Sequence, residues 1–314
     1  MKKMLAILLG AFTAVSLVAC GETTTTTVAF DTTKTITVYT RDTTSGTRDA
    51  FFGGIGFAEA ATDNTPLVEG YVEVDGNGSM ITAVRNDKYG IGYISLTSLA
   101  SSGLLGLDFE GVEATEENVL NGTYALKRPF NYILRADWTG MTVEEQIAEA
   151  FVAYLSTVDG KATIVNHGGI IAVGADDPTW DEIKVQYPIC TQDNSAVTIN
   201  FGGSTSVQPI AEALSAEFSA KCGNFIAEHN HTGSGDAYKR TQGTEASGAN
   251  ALDIGFASRD FKTSEPAAEG TTGRICMDAV VVVVNSANTT LTTLTAEQTK
   301  SIFEGAFTRW SDLG

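Results

Sequence analysis

Arg41-Asp42-Thr43-Thr44-Ser45-Gly46-Thr47 stands between the apolar alternation of Ile36 and Val38 and the apolar run Ala50-Phe51-Phe52. That order predicts a strand, a tight polar turn and the start of a helix. Such a turn gathers hydroxyls, a glycine and first-turn backbone N–H groups at the positive end of a helix, here with a permanent cation beside them. It is a local device for holding a small oxyanion, because unpaired amides point at the ligand and glycine lets the backbone come close. A single Ser-Gly-Thr turn more often only caps a helix.

Two further turns of this type lie downstream. Residues 196–201 alternate as a strand and run into Gly202-Gly203-Ser204-Thr205-Ser206. A helix follows whose Val207, Ile210, Ala211, Leu214 and Phe218 share one face. Asn230-His231-Thr232-Gly233-Ser234-Gly235 then leads into Asp236-Ala237-Tyr238-Lys239, and residues 252–259 read as a short buried strand ending in Ser258 and Arg259. Residues 279–284, an Ala and five Val, suit a strand buried on both faces. In the first half, residues 71–74 are a short strand, Asp75-Gly76-Asn77-Gly78 is turn chemistry, and Ser79 is expected to cap a helix through Met80, Ile81 and Val84. Gly90-Ile91-Gly92-Tyr93-Ile94-Ser95 is a strand whose glycines signal close backbone approach. Thr142 with Glu145, and Thr295 with Gln298, form capping boxes. Strands alternating with helices, with polar loops at the strand C-termini, predict an α/β fold that binds its ligand at those strand ends.

At 314 residues the chain has room for about two domains. With 43% hydrophobic and 18% charged residues it is globular rather than disordered. Residues 1–20 read as a targeting segment: Lys2 and Lys3, an apolar stretch over residues 5–18, and Leu17-Val18-Ala19-Cys20. The stretch is too short to span a membrane as a stable helix, so it reads as a cleaved secretory signal. Its end is similar to a bacterial lipobox, which implies a lipid on Cys20; an ordinary signal with an incidental Cys is the alternative. The threonines at 23–27 suit a flexible tether over residues 21–35. Without residues 1–20 the chain keeps 18 basic against 38 acidic residues, a net charge of −20. That surface repels nucleic acid and anionic lipid and attracts no anion from afar. Of Cys190, Cys222 and Cys276, one pair can bridge outside the cytoplasm, Cys222 with Cys276 being favoured.

Together these motifs resemble the phosphate-binding proteins of bacterial phosphate ABC transporters, which are of the two-lobed periplasmic-binding-protein type. Residues 197–214, Thr232-Gly233-Ser234-Gly235, and Ala257-Ser258-Arg259 are similar to that family's first three ligand loops. Residues 41–51 are similar to its second-lobe phosphate loop, and residues 111–130 to its late segment. The halves stand in exchanged order, so the chain resembles a circular permutant; a piece of a tandem array is the competing account. The resemblance implies a two-lobed α/β fold with lobe I over residues 91–279, including a connector at 173–194, and lobe II over 36–90 plus 280–314. In that arrangement Gly314 lies where the usual chain runs on toward Ile36, and residues 36–38 share a sheet with residues 281–284.

The resemblance also implies the ligand contacts. Thr205, Ser206, Ser234, Gly235 and Ser258 would donate from lobe I, and Arg41, Ser45, Gly46 and Thr47 from lobe II. Some members carry an Asp directly after the loop Ser that accepts the phosphate proton; here Arg259 stands there, leaving Asp42, Asp236 or Asp260 as substitutes. Arg259 is expected to brace its loop, and Arg48 to face outward or be ion-paired. His229 and His231 lack a third ligand for a metal and are expected to be solvated or hydrogen-bonded; His167 is expected to be structural. No Gly-x-Ser-x-Gly elbow points to hydrolase chemistry. The expectation is a non-enzymatic, lipid-anchored receptor outside the cytoplasm, without a cofactor, that closes on inorganic phosphate and delivers it to an ABC permease. The alternatives are a phosphate-sensing or adhesion lipoprotein of the same fold, a binder of another tetrahedral oxyanion, and a phosphate-ester hydrolase.

Overall fold

The computed structural model describes residues 29–136 and 142–314. The expected signal, Cys20 and most of the tether lie outside them. The chain begins with β1 (Thr37–Arg41), α1 (Gly46–Gly54), β2 (Val72–Val74), α2 (Asn77–Asn86) and β3 (Gly90–Ser95). β4 (Lys127–Leu134), α3 (Val143–Leu155) and α4 (Val158–Asn166) follow. Then come β5 (Thr198–Gly203), α5 (Gln208–Lys221), β6 (Ile226–Asn230), α6 (Ser234–Thr241), β7 (Ile254–Ala257), β8 (Thr272–Val284) and α7 (Ala296–Phe303).

One continuous sheet runs β2-β1-β3-β8-β4-β7-β5-β6. β1 is parallel to both β2 and β3, and β5 is parallel to both β6 and β7. The polar turns after β1, β5 and β7, and the one opening α6, therefore all sit at strand C-termini. β8 links the two parallel groups. Its valines pair antiparallel with β3, Val284 opposite Ile91, and its first half pairs with β4. The valine run is buried on both faces. Val280, Val282 and Val284 face Phe51, Tyr93 and Phe303, while Val281 and Val283 face Met80 and Val84 of α2. The packing is close enough that a Cβ on Gly92 would lie 2.4 Å from Met80 Sδ. Both expected capping boxes form, at Thr142 and at Thr295.

Among the described residues there are two main cores, hence two lobes. One contains Phe51, Phe52, Tyr93, Leu107, Tyr124, Leu126 and Phe303; the other contains Phe151, Phe201, Ile210, Phe218 and Ile254. Of the buried apolar residues between 91 and 126, Ile91, Tyr93, Leu107, Phe109, Val119, Tyr124 and Leu126 pack with the core expected for residues 36–90 and not with that of the lobe expected to begin at residue 91. The strand at 90–95 needs Val280 to Val284 as sheet partners, which keeps it in their lobe. The connector is also more structured than its pattern suggested, with Trp180 and Ile189 buried in the second core. Residues 32–36 meet residues 308–311 as expected: Ile36 N donates to Thr308 O at 2.9 Å, and Ser311 N to Thr32 O at 2.7 Å. Phe30, assigned to the tether, packs on Tyr89 and Trp310.

The disulfide joins Cys190 to Cys222, not Cys222 to Cys276. Asn194 folds the connector back onto the end of α5, its Nδ2 donating to Cys222 O at 3.1 Å, whereas Cys276 is buried on β8 in the second core. Nor does Ser79 cap α2. The helix starts at Asn77 behind Gly76, and Ser79 Oγ donates instead to Asp75 Oδ1 at 2.6 Å.

Candidate functional site

The turn after β1 ends where Ser45 caps α1, its hydroxyl accepting from Arg48 N at 3.3 Å. Arg48 does not face outward. It is fully buried and donates from Nη1 to Arg41 O at 2.6 Å and from Nε and Nη2 to Ala60 O at 2.8 and 2.6 Å. The helix thus carries its own clamp on the residue that opens the turn. Glu73, 3.8 Å from Nη1, supplies a distant counter-charge.

Arg41 is 1% exposed. Its Nη2 donates to Asp75 O at 3.0 Å and lies 3.7 Å from Asp42 Oδ2. Among the described residues, Nε and Nη1 are buried without a hydrogen-bond partner. Burial pulls the guanidinium below its ordinary pKa, with Asp42 and Asp75 acting in the opposite direction. A buried charge with two idle donors is costly on its own, so a partner of opposite sign is what this position is suited to receive.

Loops from the other lobe reach the same place. Thr47 Oγ1 and Ser206 Oγ are 2.9 Å apart, one from each lobe. Gly235 N donates across the cleft to Thr44 O at 3.0 Å. Ser234 Oγ lies 3.1 Å from Ser258 Oγ and accepts from Ser258 N at 2.9 Å. Gly46 fits against this pair so tightly that a Cβ on it would be 2.3 Å from Ser234 Oγ. Thr205, less buried than its neighbours, is 3.5 Å from Asn77 Nδ2. The first lobe-I turn needs Gly203 at φ +101, because a side chain there would also strike Phe256 O. Arg41, Ser45, Gly46, Thr47, Thr205, Ser206, Ser234, Gly235 and Ser258 are thus gathered at one junction.

Three groups at this junction were not anticipated from the sequence. Asn77 opens α2 and donates from Nδ2 to Ser206 Oγ at 2.9 Å. Arg128, at the start of β4, donates to Ser206 Oγ at 3.0 Å and to Ser258 Oγ at 3.2 Å. Asp278 on β8 lies directly opposite Arg128 in the sheet, and its Oδ2 takes Arg128 Nε at 2.9 Å and Ser95 Oγ at 2.8 Å. A single acid at the entrance to a valine run is the signal that could have found this pair, since a buried carboxylate requires a partner.

Arg259 braces, as expected. It forks onto Glu265 at 2.7 and 2.8 Å and reaches Asp49 of α1 at 3.2 Å. Of the three acids that could stand in for the displaced acceptor, Asp236 receives the Thr232 hydroxyl and Asp260 receives Asn131 Nδ2 at 3.2 Å. Asp42 uses Oδ1 for Thr44 but keeps a buried Oδ2 without a hydrogen bond among the described residues.

The histidines form a hydrogen-bonded chain. His231 Nδ1 must donate to Ser204 O at 3.0 Å, so its Nε2 accepts from His229 Nδ1 at 3.1 Å. His229 Nε2 is then left to accept from Ser215 Oγ at 2.9 Å. His167 donates from Nδ1 to Thr163 O at 2.9 Å. Burial pushes His231 down to about 4. A folded-state pKa below the unfolded value means stability that is complete above about pH 6.5 and is lost as the pH falls toward 4, about 3 kcal/mol in all. The melting temperature should therefore fall more steeply between pH 7 and 4 in the parent than in His231→Gln.

Comparison with known proteins bears on the fold. Residues 190–314 match the family model described as a PBP superfamily domain. The chain is 28% identical over 284 residues to "Phosphate-binding protein PstS 2" of Streptococcus agalactiae serotype V, covering 89% of this chain and 88% of that one. It is 27% identical over 316 residues to the protein of the same name from Streptococcus pneumoniae serotype 4, covering 99% of each. The crystal structure of a phosphate ABC transporter phosphate-binding protein from Streptococcus pneumoniae TIGR4 superposes with a TM-score of 0.62 at 24% identity. That superposition covers 90% of this chain and all of the other.

Proposed function

We propose that this chain, which has the two-lobed fold of the periplasmic-binding-protein superfamily, is a solute-binding protein that captures inorganic phosphate between its lobes and hands it to an ABC permease. The observation that carries the proposal is Arg41: a buried guanidinium whose Nε and Nη1 have no hydrogen-bond partner among the described residues, on the turn whose Thr47 hydroxyl meets Ser206 of the other lobe. A tetrahedral dianion offers the acceptors these donors lack, and an arginine can meet two of its oxygens at once. With a net charge of −18 on the whole chain, affinity must come from these local donors and not from the surface field. The names of the streptococcal relatives favour phosphate as the ion. In this reading the lobes close by bending where β4 and β8 cross between them, and Cys20 carries a lipid that keeps the receptor at the outer face of the membrane. Among the described residues no helix is long and apolar enough to cross a membrane. The phosphate contacts are Arg41, Ser45, Gly46, Thr47, Thr205, Ser206, Ser234, Gly235 and Ser258.

Calorimetric titration with phosphate, arsenate, sulfate and molybdate across pH tests the ligand. The proposal expects phosphate and arsenate to bind, and fails if none of the four does. Selectivity has its own test. Monohydrogen phosphate carries a proton that sulfate lacks, and Asp42 Oδ2 is the carboxylate oxygen beside Arg41 still able to accept it. Asp42→Asn should narrow the preference for phosphate over sulfate about tenfold or more, the loss expected for one hydrogen bond to a charged group. An unchanged ratio would remove Asp42 from that role.

A further inference from the structure

The Ser206 hydroxyl of the junction is not free to choose between donating and accepting. Ser95 N donates to Asn77 Oδ1 at 3.0 Å, which fixes that amide and makes its Nδ2 the group facing Ser206. Ser206 Oγ then receives two N–H groups, from Asn77 Nδ2 and from Arg128 Nη2. A serine oxygen has two acceptor positions, so both are filled and the hydroxyl can only donate its own proton. The third group beside it is Thr47 Oγ1 of the opposite lobe, in the contact where both jaws meet. Ser258 Oγ likewise takes Arg128 Nη1. Arg128 is 2% exposed and Asp278 fully buried, with Nε and Nη2 both on Asp278 Oδ2 at 2.9 and 2.8 Å. The two charges cancel, and they stand side by side on the strands that run between the lobes.

We propose that Arg128, clamped by Asp278, is a positioning residue of the anion site: by completing the two acceptor positions on Ser206 and taking one on Ser258 it turns the Ser206 proton into the cleft, toward Thr47 and the ligand, and biases Ser258 to donate as well. The proposal rests on the reading that the cleft binds an oxyanion. An acceptor-only ligand needs a pocket of donors, and hydroxyls are ambivalent until something fixes them. A neutral ion pair does so without adding net charge to the cage, leaving Arg41 as the cation the ligand itself meets. The fork geometry matters, because one guanidinium serves Asp278, Ser206 and Ser258 at once, which a lysine ammonium on a flexible stem cannot reproduce.

The test is a double-mutant cycle read by calorimetric titration with phosphate on the parent, Arg128→Lys, Ser206→Ala and the double variant. Arg128→Lys should weaken phosphate binding about 10- to 30-fold in the parent, in the range of hydrogen bonds to charged groups. In the Ser206→Ala background it should weaken binding at least about threefold less, since one of the two hydroxyls through which Arg128 acts is gone. The same loss in both backgrounds, or no loss in the parent, overturns the positioning role and leaves Arg128 a structural residue. Should Arg128→Lys fold poorly, Arg128→Gln/Asp278→Asn removes both buried charges at similar size and should lose affinity to a similar degree; full affinity there overturns the proposal. A parent that binds no tetrahedral oxyanion is a different result, which removes the reading of the cleft and this proposal with it.

Discussion

Arg41→Ala should lower phosphate affinity about 100- to 10,000-fold while leaving the fold intact. Two guanidinium donors are buried without a hydrogen-bond partner among the described residues, and each charge-assisted hydrogen bond to an anion is worth about 1.5–3 kcal/mol. Truncation removes both bonds together with the charge. It also takes away the costly burial of an arginine whose pKa is already pulled down by its surroundings, and in the protein it breaks the hydrogen bond to Asp75 O. Thermal melting without ligand should therefore change little, while the stabilisation that phosphate gives the parent disappears. Calorimetry showing parental affinity in Arg41→Ala would remove Arg41 from the site.

Gly46→Ala should act through a different route, by holding the jaws apart. The new Cβ would sit 2.3 Å from Ser234 Oγ and 2.8 Å from both Ser234 Cβ and Ser258 Oγ. Ser234 cannot swing clear, because its hydroxyl is tied to Ser258 N and its Cβ is itself too close. The clash exists only when lobe II meets lobe I. Within lobe II, alanine at the first residue of α1 is a better helix former than glycine. The expected outcome is a loss of about 10- to 100-fold in phosphate affinity, the usual cost of overpacking a tight contact, with unchanged or slightly raised melting temperature. Affinity equal to the parent's would mean that the lobes need not approach this closely to hold the ion.

The alternation of strands with polar turns made the layout legible, because each turn follows an apolar run and precedes a helix. Arg41, Ser45 to Thr47, Thr205, Ser206, Ser234 and Ser258 could all be named from local pattern joined to resemblance. The supports behind them were illegible for a physical reason: they act across the sheet. Arg128 sits next to Lys127 before Pro129, where a basic pair looks like solvated surface, and nothing local reveals that Asp278, 150 residues on, lies opposite. Asn77 looked like a turn residue because its partner Ser206 is supplied by the other lobe. The burial of Arg48 leaves no signal because the carbonyls it binds belong to Arg41, Ala60 and Asp63, and backbone acceptors leave no mark on sequence. The disulfide was missed similarly, since Cys190 belongs to a stretch without periodicity whose fold back onto α5 is set by Asn194.

A crystal structure of the protein grown with saturating phosphate tests the central claim most directly. It should show one phosphate between the lobes, within hydrogen-bond distance of Arg41 and Thr47 on one side and of Ser206 and Ser258 on the other. An ion held by one lobe alone, or bound away from Arg41, would contradict it.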